Sequence, residues 1–282
     1  MLFGVSSLLA SELPLEAFVA AAAAAGFREL ELGADPDVLG NWIAQPAAAR
    51  RTIQAAGLRV RTVHTPESGW NNGALDPEER RASAQAAAAC LAGAAEVGAE
   101  AVVWHPTSSA NEYTPQLSGQ YRARALESLA EFAGKARAAG LSTAVENLPR
   151  RGTPRPLTSV AELLPGVAAL GADVGICLDA GHSTANGLEA AAEARAAGDR
   201  LIATHLQDCD GLGEDQHLLP GRGAADWPAL FRALAAIGYR GGLIFEVKPL
   251  PEGLAATLAA LAAFATVRTN NNGRQPAADE RR

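Results

Sequence analysis

GGLIFEVKP, residues 241–249, is a short apolar run with one carboxylate, Glu246, close to its end. An ionised carboxylate in an apolar strand is costly unless a positive group meets it. Lys248 lies two residues further out and does not supply that charge. The partner has to come from elsewhere in the chain, and a metal ion is the simplest one.

Working back from this strand, the same arrangement recurs. LIATHLQD (201–208), VGICLDAG (174–181), STAVENLP (142–149), AVVWHPT (101–107) and RVRTVHTP (59–66) are apolar runs that carry histidine, aspartate or glutamate towards their ends. FRELELG (27–33) alternates charged and apolar residues as a strand does, and residues 2–7 read as a short opening strand. Alanine-rich helical stretches lie between them. Pro14 and Pro46 sit near the starts of the first two, which Gly26 and Gly57 close. Further helices are expected over about 77–97, 117–139, 159–170, up to 197, 226–237 and up to 264.

Eight strands alternating with eight helices imply a parallel sheet, and repeats of this size fit a closed (β/α)8 TIM barrel. A doubly wound open sheet usually shows a glycine-rich phosphate turn after its first strand, and none follows here. The expectation is an α/β fold with a single barrel domain over 1–266. The segment 267–282 (VRTNNNGRQPAADERR) has no apolar face and reads as a disordered tail.

The composition narrows the partners. The chain has 282 residues and a formal net charge of −7, which argues against non-specific attraction to nucleic acid or an anionic membrane. Its three cysteines, Cys90, Cys177 and Cys209, are too far apart to suggest a disulfide framework and point to a reducing compartment. The alanine run 20–25 is too short to span a membrane, and the N-terminal stretch lacks a basic leader. Cytoplasmic residence is expected, and a homo-oligomer stays open.

In a TIM barrel the active site sits at the C-terminal ends of the strands. His64, His105, His182 and His205 fall at strand ends or in the turn just after, and His217 falls in the loop after the seventh strand. Glu146, Asp179 and Glu246 follow the same rule. Counting back by two from Glu146, Asp179, His205 and Glu246 gives Ala144, Cys177, Ala203 and Ile244, all small or apolar, as a barrel interior requires. The polar ends therefore point inward at the mouth. Three carboxylates converging there repel one another without a cation.

These stretches resemble the xylose isomerase-like barrels, a superfamily shared by sugar isomerases, epimerases and endonuclease IV. The matching segments are TVHTP (62–66), VVWHP (102–106), VENLP (145–149), CLDAGH (177–182), THLQD (204–208), DQHLLPGRG (215–223) and LIFEV (243–247), in family order. The resemblance implies that Glu146, Asp179, His205 and Glu246 ligate a divalent ion. It also implies that His182 and an arginine after the seventh strand, here Arg222, hold substrate oxygens. Glu146 and Glu246 would then exchange a proton through an enediolate. The donor set suits Mn, Mg, Co or Zn.

Endonuclease IV uses nine positions for three zinc ions, and the resemblance matches His64, His105, Glu146, Asp179, His182, His205, Asp215, His217 and Glu246 to all of them. More than one bound ion is thus expected, or spare histidines used on substrate. Trp42, Trp70 and Trp104 are candidates for an apolar wall against the substrate, with Trp104 counted among the substrate-binding residues. The loops after the second and third strands hold no lysine or arginine, so a small sugar or polyol is favoured over DNA. An endonuclease IV-like phosphodiesterase acting on abasic DNA is the alternative.

Overall fold

The computed structural model describes residues 2–66 and 69–271. Eight strands are present: β1 (Phe3–Ser6), β2 (Glu29–Gly33), β3 (Arg59–His64), β4 (Ala101–Trp104), β5 (Ser142–Glu146), β6 (Val174–Asp179), β7 (Leu201–Leu206) and β8 (Leu243–Phe245). They pair in sequence order, all parallel, and β8 closes onto β1, so the expected (β/α)8 barrel is the fold.

The helices around it are α1 (Leu15–Ala24), α2 (Pro46–Ala55), α3 (Pro77–Ala89), α4 (Leu91–Glu96), α5 (Pro115–Ala138), α6 (Val160–Ala168), α7 (Ala180–Ala185), α8 (Ala190–Ala197), α9 (Trp227–Ala236) and α10 (Leu254–Asn271). Their starts follow from capping chemistry. Asp76 accepts from the amides of Glu78 and Glu79 at 2.8 Å ahead of Pro77, and Asp226 caps Ala229 in the same way. Gly57 and Gly140 end α2 and α5 at φ 71° and 77°, a left-handed turn that sends the chain straight into the next strand. None of the described helices is long and apolar enough to cross a membrane.

Four expected boundaries differ. The helix expected over 77–97 breaks at Cys90 into α3 and α4, and a Cβ at Gly93 of the second piece would stand 2.9 Å from Ile43 Cγ1. The helical stretch after β6 splits into α7 and α8 around Gly187, whose φ is 72°. β8 covers only 243–245, and Glu246 lies just past it, although its amide still reaches the Leu206 carbonyl at 3.3 Å. α10 continues to Asn271, five residues into the stretch expected as tail; the remainder, 272–282, lies outside the described residues.

Inside the barrel, Val103, Ala144, Cys177 and Ala203 form a small apolar plug, distinct from the larger apolar shell between sheet and helices. Glycine lets the walls close in around these small residues. A Cβ at Gly4 would stand 2.7 Å from both the Glu29 carbonyl oxygen and Ile244 Cδ1. Below the plug, buried Glu29 holds Arg61 at 2.6 Å and also pairs with Arg59. Above it the lining turns polar.

Two strands carry an extra residue. Between β2 and β3 the register slips at Arg61, and between β6 and β7 it slips at Ile202. Gly4→Ala should cost about 1–3 kcal/mol through overpacking, seen as a lowered midpoint in thermal or urea unfolding. An unchanged midpoint would show that the barrel floor can give way.

Candidate metal centre

The strand ends bring Glu146, Asp179 and His205 to the mouth, and Glu246 joins them from just beyond β8. His205 is fully buried at the centre. Its Nδ1 lies 3.2 Å from Glu146 Oε1, 3.2 Å from Glu246 Oε2 and 4.0 Å from Asp179 Oδ2. On its other side, Nε2 lies 3.0 Å from Glu31 Oε2, an oxygen that also accepts from Thr62 Oγ1 at 2.8 Å. An ionised carboxylate only accepts, so Nε2 carries a proton, and Nδ1 is the nitrogen aimed at the other acids.

Glu146 Oε1, Asp179 Oδ2 and His205 Nδ1 are buried atoms without a hydrogen-bond partner. Three orphaned polar atoms converging on one point are what a missing cation leaves in a ligand set. With Glu246 they form a group whose donor atoms all lie within 4.8 Å of one another. The residues therefore fit a divalent ion.

Two further groups adjoin the first. His64 and His105 meet Glu146 Oε2 at 3.4 and 3.0 Å, and their Nε2 atoms are 3.2 Å apart. His182 and His217 flank Asp215 at 3.3 and 3.2 Å. The outward nitrogens of His64, His182 and His217 donate to the carbonyls of Thr65, Asn147 and Glu246 at 2.8, 2.9 and 2.9 Å, which fixes each ring and aims Nε2 at its group. His217 holds this pose at φ 52°, a left-handed backbone rare for a side-chain-bearing residue.

Charge balance explains the titration pattern. Burial pushes the Glu146 carboxyl up, but His205 and His105 outweigh that and hold it well below the usual range. Asp179, buried and facing Glu146 and Glu246, is pushed up to about 7 despite His182. Burial pulls His205 and His182 down, yet the surrounding acids hold both well above the ordinary histidine value. His217 is likewise raised to about 9, its burial overcome by the bond to Asp215.

For His217, this raised value contributes stability that is present below pH 6.5 and lost as pH rises through about 9. A divalent ion needs those imidazoles neutral, so its binding must expel their protons. Calorimetric titration with Mn or Zn near pH 7 should release about one proton or more per ion and tighten as pH rises. Equal heats in buffers of different ionisation enthalpy would contradict the assignment.

Above the centre opens a cavity of about 160 Å³, roughly ten times the minimum for one water. Glu146, Glu246, His105, His182, Asp215 and His217 reach it; Asp179 and His205 lie beneath. Trp70, Pro66 and Leu8 supply its apolar wall.

Two expected substrate contacts are corrected. Trp104 is 1% exposed, stacks on Phe132 of α5 and points away from the mouth, because its neighbours Val103 and His105 take the inner face. Trp42 is also core, its Nε1 donating to the Gly33 carbonyl at 2.7 Å. Arg222 is exposed and off the cavity. The loop carrying it is tied down by Asp208, which accepts from the amides of Cys209, Gly221 and Ala225 and from Trp227 Nε1. An antiparallel bridge from Asp208 to Leu218 folds Asp215 and His217 over the mouth and leaves Arg222 outside. The arginines on the cavity are Arg151 and Arg155 of the loop after β5.

Sequence reasoning missed Glu31 and Gln207, and it offered Arg155 only as one of several arginines, with Arg150, Arg151 and Arg222, on which a phosphorylated substrate would rely. Gln207 bridges Asp179 Oδ1 and Asp215 Oδ1 at 3.1 Å each. Glu31 was readable, since a second acidic residue in FRELELG shares the face of Glu29, and that face is interior.

A parallel eight-stranded barrel with clustered carboxylates and imidazoles at its C-terminal mouth defines a class of TIM barrels built around a metal-competent site. The chain belongs to the xylose isomerase-like TIM barrel family, whose model matches residues 19–264. Among sequence relatives, the uncharacterized protein y4fM of Sinorhizobium fredii is 45% identical over 73 residues, covering 26% of this chain and only 23% of that protein. The rhizopine catabolism protein MocC of Rhizobium meliloti is 26% identical over 267 residues, covering 86% of this chain and 77% of that one. Among solved structures, a D-tagatose 3-epimerase-like protein shares the fold with a TM-score of 0.81 at 22% identity, covering 97% of this chain and 100% of that one.

Proposed function

We propose that the chain is a divalent-metal-dependent isomerase or epimerase of sugars, which moves a proton at the carbon beside a carbonyl. One observation carries this reading. Glu146 and Glu246 stand on either side of His205 Nδ1, 3.2 Å from it in each case, and both also face the cavity. A small substrate above His205 would thus lie between two carboxylates.

Glu146, Asp179, His205 and Glu246 would hold the ion, which when bound supplies positive charge to the carbonyl and hydroxyl oxygens of the substrate. One of Glu146 and Glu246 takes the proton from the carbon, leaving an enediolate, and the other returns a proton. Return on the opposite face gives an epimer, and return at the neighbouring carbon gives an isomer. His182, held by the Asn147 carbonyl, presents Nε2 towards substrate oxygens. Trp70 and Pro66 keep water from one side of the cavity. The likeness in fold to a D-tagatose 3-epimerase-like protein supports a ketose substrate and the epimerase branch.

Incubation with ketoses in deuterated water should place deuterium on the carbon next to the carbonyl. Glu246→Gln should slow that exchange about 10²–10⁴-fold. Glu31→Gln should instead weaken metal binding about 10–100-fold by unfixing His205, without touching substrate.

The second reading, an endonuclease IV-like phosphodiesterase on abasic DNA, is favoured by one fact: all nine residues matched to its three-zinc site come together in adjoining groups. It is disfavoured by the loop after β7, which carries Asp208, Asp210, Glu214 and Asp215 against one arginine, Arg222, and that arginine lies off the cavity. Metal analysis after purification without chelator decides how many ions bind. More than one equivalent in the wild type, reduced in a His64→Ala/His105→Ala double variant, is the expected result. Cleavage of an abasic duplex with no deuterium exchange on any sugar would reverse the ranking.

A further inference from the structure

Arg155 is 6% exposed, and no other arginine or lysine of the described residues is buried. Its guanidinium donates to Thr107 Oγ1 at 3.0 Å, to the Thr107 carbonyl at 2.6 Å and to the Pro149 carbonyl at 3.1 Å. The Tyr113 hydroxyl is also close. All of these are neutral oxygens; Glu146 acts on it only at a distance, and no carboxylate of the described residues is ion-paired with it. Arg61, less deeply buried, pairs with both Glu29 and Glu100. A buried cation without a counter-charge is costly, and a protein that keeps one usually meets the opposite charge in a ligand.

Arg155 lines the same cavity as Glu146 and Glu246, beside Asn72, Thr107 and Ser108. The cavity wall thus carries both the acids and imidazoles of the metal centre and a guanidinium bonded to hydroxyl and carbonyl oxygens. Arg151 is the other arginine on its wall, and it is already engaged with Asp215 at 3.3 Å, as are His182 and His217. The unmatched charge is thus a single positive one, which suits a carboxylate. A phosphate dianion would call for a second unspent cation beside Arg155, and Arg151, the other arginine on the wall, is spent on Asp215.

We propose that the substrate carries a carboxylate bound by Arg155, so that the site takes a keto sugar acid in preference to a neutral ketose. The identity of the reacting end rests on the isomerase or epimerase reading; the anion-binding end rests on Arg155 alone.

Calorimetry with 5-keto-D-gluconate, D-fructose and D-fructose 6-phosphate, on metal-free and metal-loaded protein, tests this without turnover. The keto acid should bind at least roughly tenfold more tightly than fructose. Arg155→Gln should erase that difference, and Arg155→Lys should restore part of it. Because Arg155 also ties the loop after β4 to the loop after β5, the wild-type ranking alone decides the matter if the variants do not fold. Equal affinity for keto acid and fructose, or tightest binding of the phosphate, overturns the proposal. Selective keto-acid binding without any deuterium exchange leaves it standing and removes the isomerase reading instead.

Discussion

A single imidazole, that of His205, is pressed between carboxylates on both of its edges at the sealed centre of the barrel. Glu31 comes from β2, Glu146 from β5, and Glu246 from the exit of β8, so strands from around the barrel contribute to one contact. Negative groups gathered in so small and dry a space are tolerated only around positive charge. The site and the closure of the barrel are consequently one event. Until β8 docks between β7 and β1, His205 has no Glu246 and the acids have no common centre. Protons on the histidines supply the positive charge in the chain by itself, and a divalent ion would supply it more completely.

The loops finish what the strands begin. Asp208 spends both carboxylate oxygens on loop amides and an indole, and so works as a fastener with no part in the cavity. That fastening delivers Asp215 and His217 to the mouth, with His217 accepting a left-handed backbone to make its bond to the Glu246 carbonyl. Arg155 does similar work between the loops after β4 and β5, but with a charge that its protein partners leave unmatched.

The fold was legible because most strands carry a polar residue at or near their ends and the early helices end on glycine, signals that depend only on neighbours in sequence. The core of the site was legible for the same reason: Glu146, Asp179, His205 and Glu246 share strand parity with the small residues below them, Ala144, Cys177, Ala203 and Ile244. Trp104 was misplaced by neglecting that parity, since Val103 and His105 already claim the inner face. Arg222 was misplaced for a different reason. Being the one arginine in its loop, it looked available, but the path of that loop is set by Asp208 bonding to residues up to nineteen positions away. Long-range bonds of that kind leave no periodic trace. What sets Arg155 apart from the neighbouring arginines was hidden likewise, because it follows from burial against Thr107, forty-eight residues earlier.

The extra residues at Arg61 and Ile202 can now be set beside the two histidines they precede. Arg61 stands three positions before His64, and Ile202 three before His205. In a regular strand, residues an odd number apart face opposite ways. Here each pair shares the interior: Arg61 reaches Glu29 at the floor while His64 faces Glu146, and Ile202 packs on the apolar plug below His205. The two rings then face each other across the barrel, 5.9 Å apart and nearly parallel. The barrel wall is thus written in two phases, one for the floor and one for the mouth, joined by a bulge in β3 and another in β7. A change of residue type at the floor can leave the orientation of the mouth alone, whereas straightening either bulge would turn an imidazole out of the site.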